Sequence, residues 1–320
     1  MTLHVTETEF KLLRDLIYDH SGIFLADNKA YLIETRLANL VKESCCTTFG
    51  EFYLKAKSSG ESEQLCRSMV DAITTNETSW FRDQHPYRIL RERILPEFDK
   101  EMKTGKRSRI NIWSAACSTG QEPYSIAMTI LDFYNDSKND SACHKWVRIL
   151  ATDISGTSLA QAAEGKYDNL SINRGLEAEY LDRFFQKNNN KWLVEDRVKR
   201  MVVFQQYNLK QPMIKNEFFD VVFLRNVMIY FPDSLKRKLF ETMATILAPN
   251  GYLFLGTGET VNGYTARFEM LEWQKAVFYR VKPIGATALG GLADVLGRNN
   301  SSGKCSMLRA NPGEKNRPDR

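Results

Sequence analysis

The chain is 320 residues long, 43% apolar and 26% charged, with a net charge of +5 at pH 7. That length and balance suit a soluble globular protein with one large domain, or a core with an appendage, and exclude a wholly disordered chain. No apolar run approaches the roughly 20 residues that span a bilayer, so membrane insertion is not expected.

The first residues, MTLHVTETEF, carry neither a basic nor an apolar signal region, and a cytoplasmic location is expected. Six cysteines (Cys45, Cys46, Cys66, Cys117, Cys143, Cys305) are scattered without a CxxC pair, which argues against a disulfide framework or a zinc ribbon; no metal is expected. The positive charge is concentrated late. Residues 282–320 hold seven Lys/Arg against three Asp/Glu, while the first 75 hold eight against eleven. No broad basic face is implied, so a nucleic-acid partner is not expected.

The first 75 residues read as helices. Thr6 and Glu9 form a capping-box pattern, with Val5 and Phe10 as the hydrophobic staple. Phe10, Leu13 and Ile17 follow one helical face and Gly22 is a plausible stop. Further helical patterns cover about 28–42, 48–57 and 61–74, giving a small all-helical domain over 1–75.

The pattern changes from about residue 109. Short apolar runs at 109–116, 148–154, 201–206, 220–227 and 251–257 alternate with helical patterns at 121–136, 155–164 and 233–247. Such alternation predicts a parallel sheet covered on both faces. The runs 268–274 and 276–281 predict a closing antiparallel hairpin at the sheet edge. A polar, Asn-rich stretch near 186–204 predicts a small β excursion, and residues after 283 a disordered tail.

Four constellations could carry chemistry. SAACSTGQEPYS (114–125) follows a strand and opens a helix. Its small residues and Gly120 allow close backbone approach, but it lacks both GxGxxG and GxxxxGK[ST], so it suits a ligand without phosphates. An ordinary strand–helix turn explains the same residues. Asp153 ends ILATD, where an acid can accept from two ribose hydroxyls; capping the next helix is the plainer role. In TTNETSWFRD (74–83), Asn76, Thr78 and Arg82 flank Trp80 and Phe81; the alternative is a linker with a capping asparagine and a surface arginine. In FFDVVFLRNVMIYFP (218–232), Arg225 and Asn226 interrupt an apolar strand, with Tyr230 one turn on. An unpartnered buried polar group costs about 2–7 kcal/mol. The pair therefore either faces a ligand at the strand's end, or Arg225 meets a nearby carboxylate.

In their order and spacing, NETSWFRD, WSAACSTGQEPYSIAM, ILATDIS, FDVVFLRNVMIYF and GYLFLGTGE resemble the CheR-type chemotaxis methyltransferases, S-adenosylmethionine-dependent enzymes that methylate receptor glutamates. The resemblance covers about 5–282. Trp80 stands where the family more often has Phe, and GTGE replaces the more usual GHSE.

The resemblance implies a class I methyltransferase-like α/β fold, doubly wound, over 76–282. It implies S-adenosylmethionine as cofactor, with S-adenosylhomocysteine as product. By similarity Asn76, Thr78, Arg82, Glu122, Asp153, Asn208, Leu209, Arg225 and Asn226 bind the cofactor, and Arg82 and Tyr230 lie nearest the chemistry. The protein substrate would be chemoreceptor cytoplasmic helices, met by a monomer. Members that bind a receptor's C-terminal pentapeptide carry a longer, Gly-rich loop; QKNNNKW is short and lacks glycine, so no strong tether is expected. Two other readings compete: a methyltransferase acting on nucleic acid or a small molecule, and a non-catalytic S-adenosylmethionine-binding scaffold or sensor. The first loses ground because RNVMIYF stands where adenine-methylating enzymes carry [DN]PP[YF]. The second would not need to retain Arg82, Asp153, Arg225 and Tyr230 together.

Overall fold

The computed structural model describes residues 3–58, 62–134, 143–211 and 218–283; the expected tail over 283–320 lies, from residue 284 on, outside the described residues.

Four helices open the chain: α1 (Glu7–Ser21), α2 (Ala30–Glu43), α3 (Phe49–Lys57) and α4 (Ser62–Ile73). Thr6 and Glu9 close a reciprocal capping box on α1, and Gly22 ends it in the left-handed conformation. Phe10, Leu13, Ile17, Ile33, Leu37, Phe49 and Phe52 bury their apolar faces in one cluster, with Val5 packed against it. Burial of this kind, rather than helix propensity, stabilises helices this short.

Next, α5 (His85–Ile89) continues through a π-helical turn into α6 (Leu95–Lys103). The strands and helices that follow are β1 (Ile110–Ala115), α7 (Gln121–Phe133), β2 (Val147–Asp153) and α8 (Gly156–Glu164). A small excursion holds β3 (Lys166–Asp168), α9 (Asn169–Ile172), α10 (Ala178–Phe184), β4 (Phe185–Asn188), β5 (Lys191–Val194) and α11 (Asp196–Lys199). The chain returns through β6 (Val202–Gln206), β7 (Phe219–Leu224), α12 (Asp233–Ile246), β8 (Leu247–Leu255), β9 (Phe268–Trp273) and β10 (Ala276–Val281).

The main sheet has seven strands in the order β6-β2-β1-β7-β8-β10-β9. The first five pair in parallel, and β9 and β10 add the antiparallel edge. Alternation along the strands feeds two cores. Ile112, Val221 and Phe223 face one layer with Ile126 and Ile130 of α7. Trp113, Val222 and Leu224 face the other with Phe240 and Met243 of α12. The fold is therefore a doubly wound α/β arrangement with an antiparallel edge. The strand order reverses between β1 and β7, and a ligand crevice is expected beyond the carboxyl ends of strands at that point.

The excursion forms a separate antiparallel sheet, β3-β5-β4. It covers Lys166–Val194, earlier than the stretch near 186–204, and Val202–Gln206 belongs to the main sheet's edge. At three residues, β3 is too short for alternation to register.

Candidate active site

The loop after β1 winds through left-handed backbone at Ala116 (φ 60°), Ser118 (φ 51°) and Gly120 (φ 95°). Small side chains tolerate that winding best. It turns the Ser118 N–H onto Asp153 Oδ2 at 2.7 Å, and the Ser155 N–H reaches Oδ1 at 2.9 Å. Each carboxylate oxygen keeps a lone pair for a ligand. Burial lifts the Asp153 carboxyl above its ordinary value, with the Ser155 and Ser118 amides opposing the rise. Tyr167 of β3 donates to the Thr119 carbonyl at 2.7 Å, bracing the loop from the small sheet.

Beyond the ends of β1, β2 and β7 lies a crevice with about 1140 Å³ of empty space, including its open mouth. It admits a nucleoside-sized ligand. Asn76, Thr78, Arg82, Glu122, Asp153, Leu209, Arg225, Asn226 and Tyr230 all line it, from five separated stretches of chain. Asn208 does not line it. The Asn208 amide donates to the His20 carbonyl at 2.6 Å and its oxygen accepts the Lys210 N–H at 2.9 Å. Asn208 thus ties the sheet domain to the end of α1.

Arg225 is not a free guanidinium at the mouth. Its side chain is 1% exposed and pairs with Glu122 at 2.9 Å and Asp83 at 2.7 Å. Two carboxylates offset its desolvation. Burial pulls its acidity one way and Tyr87, Glu122 and Asp83 pull it further the other, so it stays charged. Burial also raises the Glu122 carboxyl, against the Arg225 charge and the Ser114 hydroxyl that donates to it at 2.8 Å. Among the described residues, the buried Arg225 Nε–H has no hydrogen-bond partner.

Several contributors escape sequence reasoning. Ser21, the last residue of α1, and Ile23, just past it, line the crevice, so the helical domain supplies part of its wall. The Phe24 N–H donates to the Tyr230 carbonyl at 2.9 Å and holds that wall against Tyr230, another lining residue. Glu259 accepts from Asn226 N–H and Met228 N–H, each at 2.8 Å. Asp83 and Glu259 both lie inside NETSWFRD and GYLFLGTGE, but nothing local marks their partners, 142 and 33 residues away.

The donor set suits a nucleoside joined to a cationic amino acid. Asp153 offers acceptors to a diol, the carboxylates around Arg225 tolerate a positive ligand, and the loop lacks a phosphate cradle.

Comparison with known proteins agrees. Residues 8–74 match the family described as the CheR methyltransferase all-alpha domain, and residues 76–277 the CheR methyltransferase SAM binding domain. The chain is 38% identical over 281 residues to "Chemotaxis protein methyltransferase 1" of Pseudomonas aeruginosa, covering 88% of this chain and 100% of that one. It is 39% identical over 279 residues to "Chemotaxis protein methyltransferase" of Vibrio anguillarum, covering 87% and 98%. It is 37% identical over 275 residues to "Chemotaxis protein methyltransferase Cher2" of Pseudomonas putida, covering 86% and 98%.

Proposed function

Because the chain belongs to the CheR methyltransferase family and is an S-adenosylmethionine-dependent chemotaxis methyltransferase, we propose that its acceptor is a glutamate side chain on a chemoreceptor's cytoplasmic helices. The observation that supports this reading is the pairing of a half-buried, pocket-lining Arg82 with a pocket that holds no histidine. A glutamate is ionised at pH 7, with an ordinary pKa of about 4.3, and needs no base to become a nucleophile. It needs a cation to orient it.

S-adenosylmethionine supplies a methyl group on a sulfonium, which departs as a neutral thioether. The chain's own residues do the placing. Asp153 would hold the ribose hydroxyls. Glu122, Arg225 and Asn226 would hold the amino-acid end, with Asn76, Thr78 and Leu209 around the ligand. Arg82 receives the glutamate carboxylate in a charge-assisted hydrogen bond. Tyr230 shapes the approach of the carboxylate oxygen. Alignment of this kind supplies roughly 7–11 kcal/mol of barrier lowering.

The β4–β5 hairpin turns through only Asn189 and Asn190, so strong binding of a receptor-terminal pentapeptide is not part of the proposal; micromolar binding in calorimetry contradicts that point. Among the described residues no helix is long and apolar enough to cross a membrane.

Mass spectrometry of a receptor cytoplasmic fragment after incubation with enzyme and cofactor tests the acceptor. Methylation mapped to glutamate residues supports the proposal. Methylation mapped to lysine or arginine overturns it.

A further inference from the structure

Arg82 sits in a turn of strained backbone, closed by the Gln84 N–H on the Phe81 carbonyl at 2.7 Å and tied to α7 by the Phe81 N–H on Ser125 Oγ at 3.1 Å. Phe81 (φ 46°), Asp83 (φ 65°) and Gln84 (φ 46°) are all left-handed and none is glycine. Side chains resist that conformation, and it persists only where the surroundings impose it. On the side of Arg82 and Asp83 the turn is held by Arg225. Its Nη2 donates at 2.7 Å to the Arg82 carbonyl and at 2.7 Å to Asp83 Oδ2, gripping two adjacent residues of the turn. Its Nη1 is anchored on Glu122 in the first turn of α7 at 2.9 Å. The clamp thus joins the Arg82 turn to the helix beside the cofactor loop.

Asp83 itself does not line the crevice, so it touches neither ligand. Its side chain is 29% exposed, against 1% for Arg225. Losing its charge leaves the Glu122–Arg225 pair standing, and Arg225 is not orphaned. What is weakened is the second of the two grips on the turn, while the bond to the Arg82 carbonyl remains.

We propose that Asp83 is a positioning residue for methyl transfer: through Arg225 it fixes the turn that aims Arg82 at the acceptor carboxylate. This rests on the role of Arg82 proposed above. A misplacement of about 1 Å in such a group costs up to roughly a hundredfold in rate.

The test is a double-mutant cycle on the full chain, measuring kcat, KM for S-adenosylmethionine and methyl ester formed on a receptor cytoplasmic fragment. Asp83→Asn lowers kcat about tenfold, leaves KM for the cofactor within about twofold, and Asp83→Glu recovers most of the rate. In an Arg82→Ala background, Asp83→Asn causes no further loss. A merely structural role predicts the opposite: the two losses multiply and the melting temperature tracks them. Wild-type kcat in Asp83→Asn, or multiplying losses, overturns the inference and leaves the functional proposal standing. No ester formed by the wild-type enzyme overturns both.

Discussion

Glu259 ties down Asn226: its Oε2 accepts the Asn226 N–H at 2.8 Å. The same oxygen accepts the Gly256 N–H at 2.7 Å, and Oε1 takes the Met228 N–H at 2.8 Å. Asn226 is left-handed (φ 58°), so one carboxylate sets the backbone of the pocket wall from 226 to 228. Glu259→Gln replaces an acceptor-only group by one that meets an N–H with an N–H. Expected are a stability loss of about 1–3 kcal/mol in urea unfolding and roughly tenfold weaker S-adenosylmethionine binding in calorimetry. Unchanged affinity removes Glu259 from the site's support.

Asp153 predicts a pH dependence of cofactor affinity. Burial raises its carboxyl above the ordinary 3.8 in the free enzyme. Hydroxyl donors from a ribose favour the anion, so binding lowers the pKa and releases a proton. Affinity is therefore full above the free-enzyme value and falls as pH drops through it, in a window above 3.8. Calorimetry across pH shows the fall in the wild type and a flat, weaker profile in Asp153→Asn. A wild-type profile that is flat in that window places the ribose elsewhere.

Trp80 separates ring packing from a single hydrogen bond. Its ring meets Tyr167 and Phe185 edge-on at 4.9 and 5.2 Å, and its Nε1–H donates to the Ser171 carbonyl at 3.1 Å. Trp80→Phe keeps most of the packing and loses the bond, for about 1 kcal/mol, whereas Trp80→Ala costs about 3–5 kcal/mol. Equal losses in denaturant unfolding contradict this division.

Asn208 and Lys210 predict a stability effect without a matching affinity effect. The Lys210 ammonium donates to the Tyr18 and Asp19 carbonyls at 2.9 Å each, at the C-terminal end of α1. Cations there complement the helix dipole. Asn208→Ala costs about 1 kcal/mol in unfolding and changes cofactor affinity less than Asp153→Asn does. A larger loss of affinity at Asn208 reverses the assignment.

The main strands were legible because buried parallel strands are short apolar runs with turn residues between them. The polar interruptions were legible for the same reason: Arg225 stands out inside FDVVFLRNVMIYF. Its partners were not. Glu122 and Asp83 lie 103 and 142 residues away, and only the folded sheet brings them to one guanidinium. Of the two readings of Arg225, the structure shows the carboxylate-paired one: its side chain is 1% exposed between Glu122 and Asp83, while the residue lies along the crevice. Asn208 shows the converse limit. The family resemblance suggested the cofactor, while its amide donates to His20, 188 residues distant. β3 was invisible because three residues carry no period.

The most direct test of the central claim is transfer of label from methyl-labelled S-adenosylmethionine to a chemoreceptor cytoplasmic fragment, followed by mild base. The account predicts label on the receptor that base releases as methanol, as a carboxyl methyl ester must. Base-stable label points to methylation on nitrogen and contradicts the glutamate acceptor. Tight cofactor binding with no label on the receptor contradicts the enzyme reading and favours a binding scaffold.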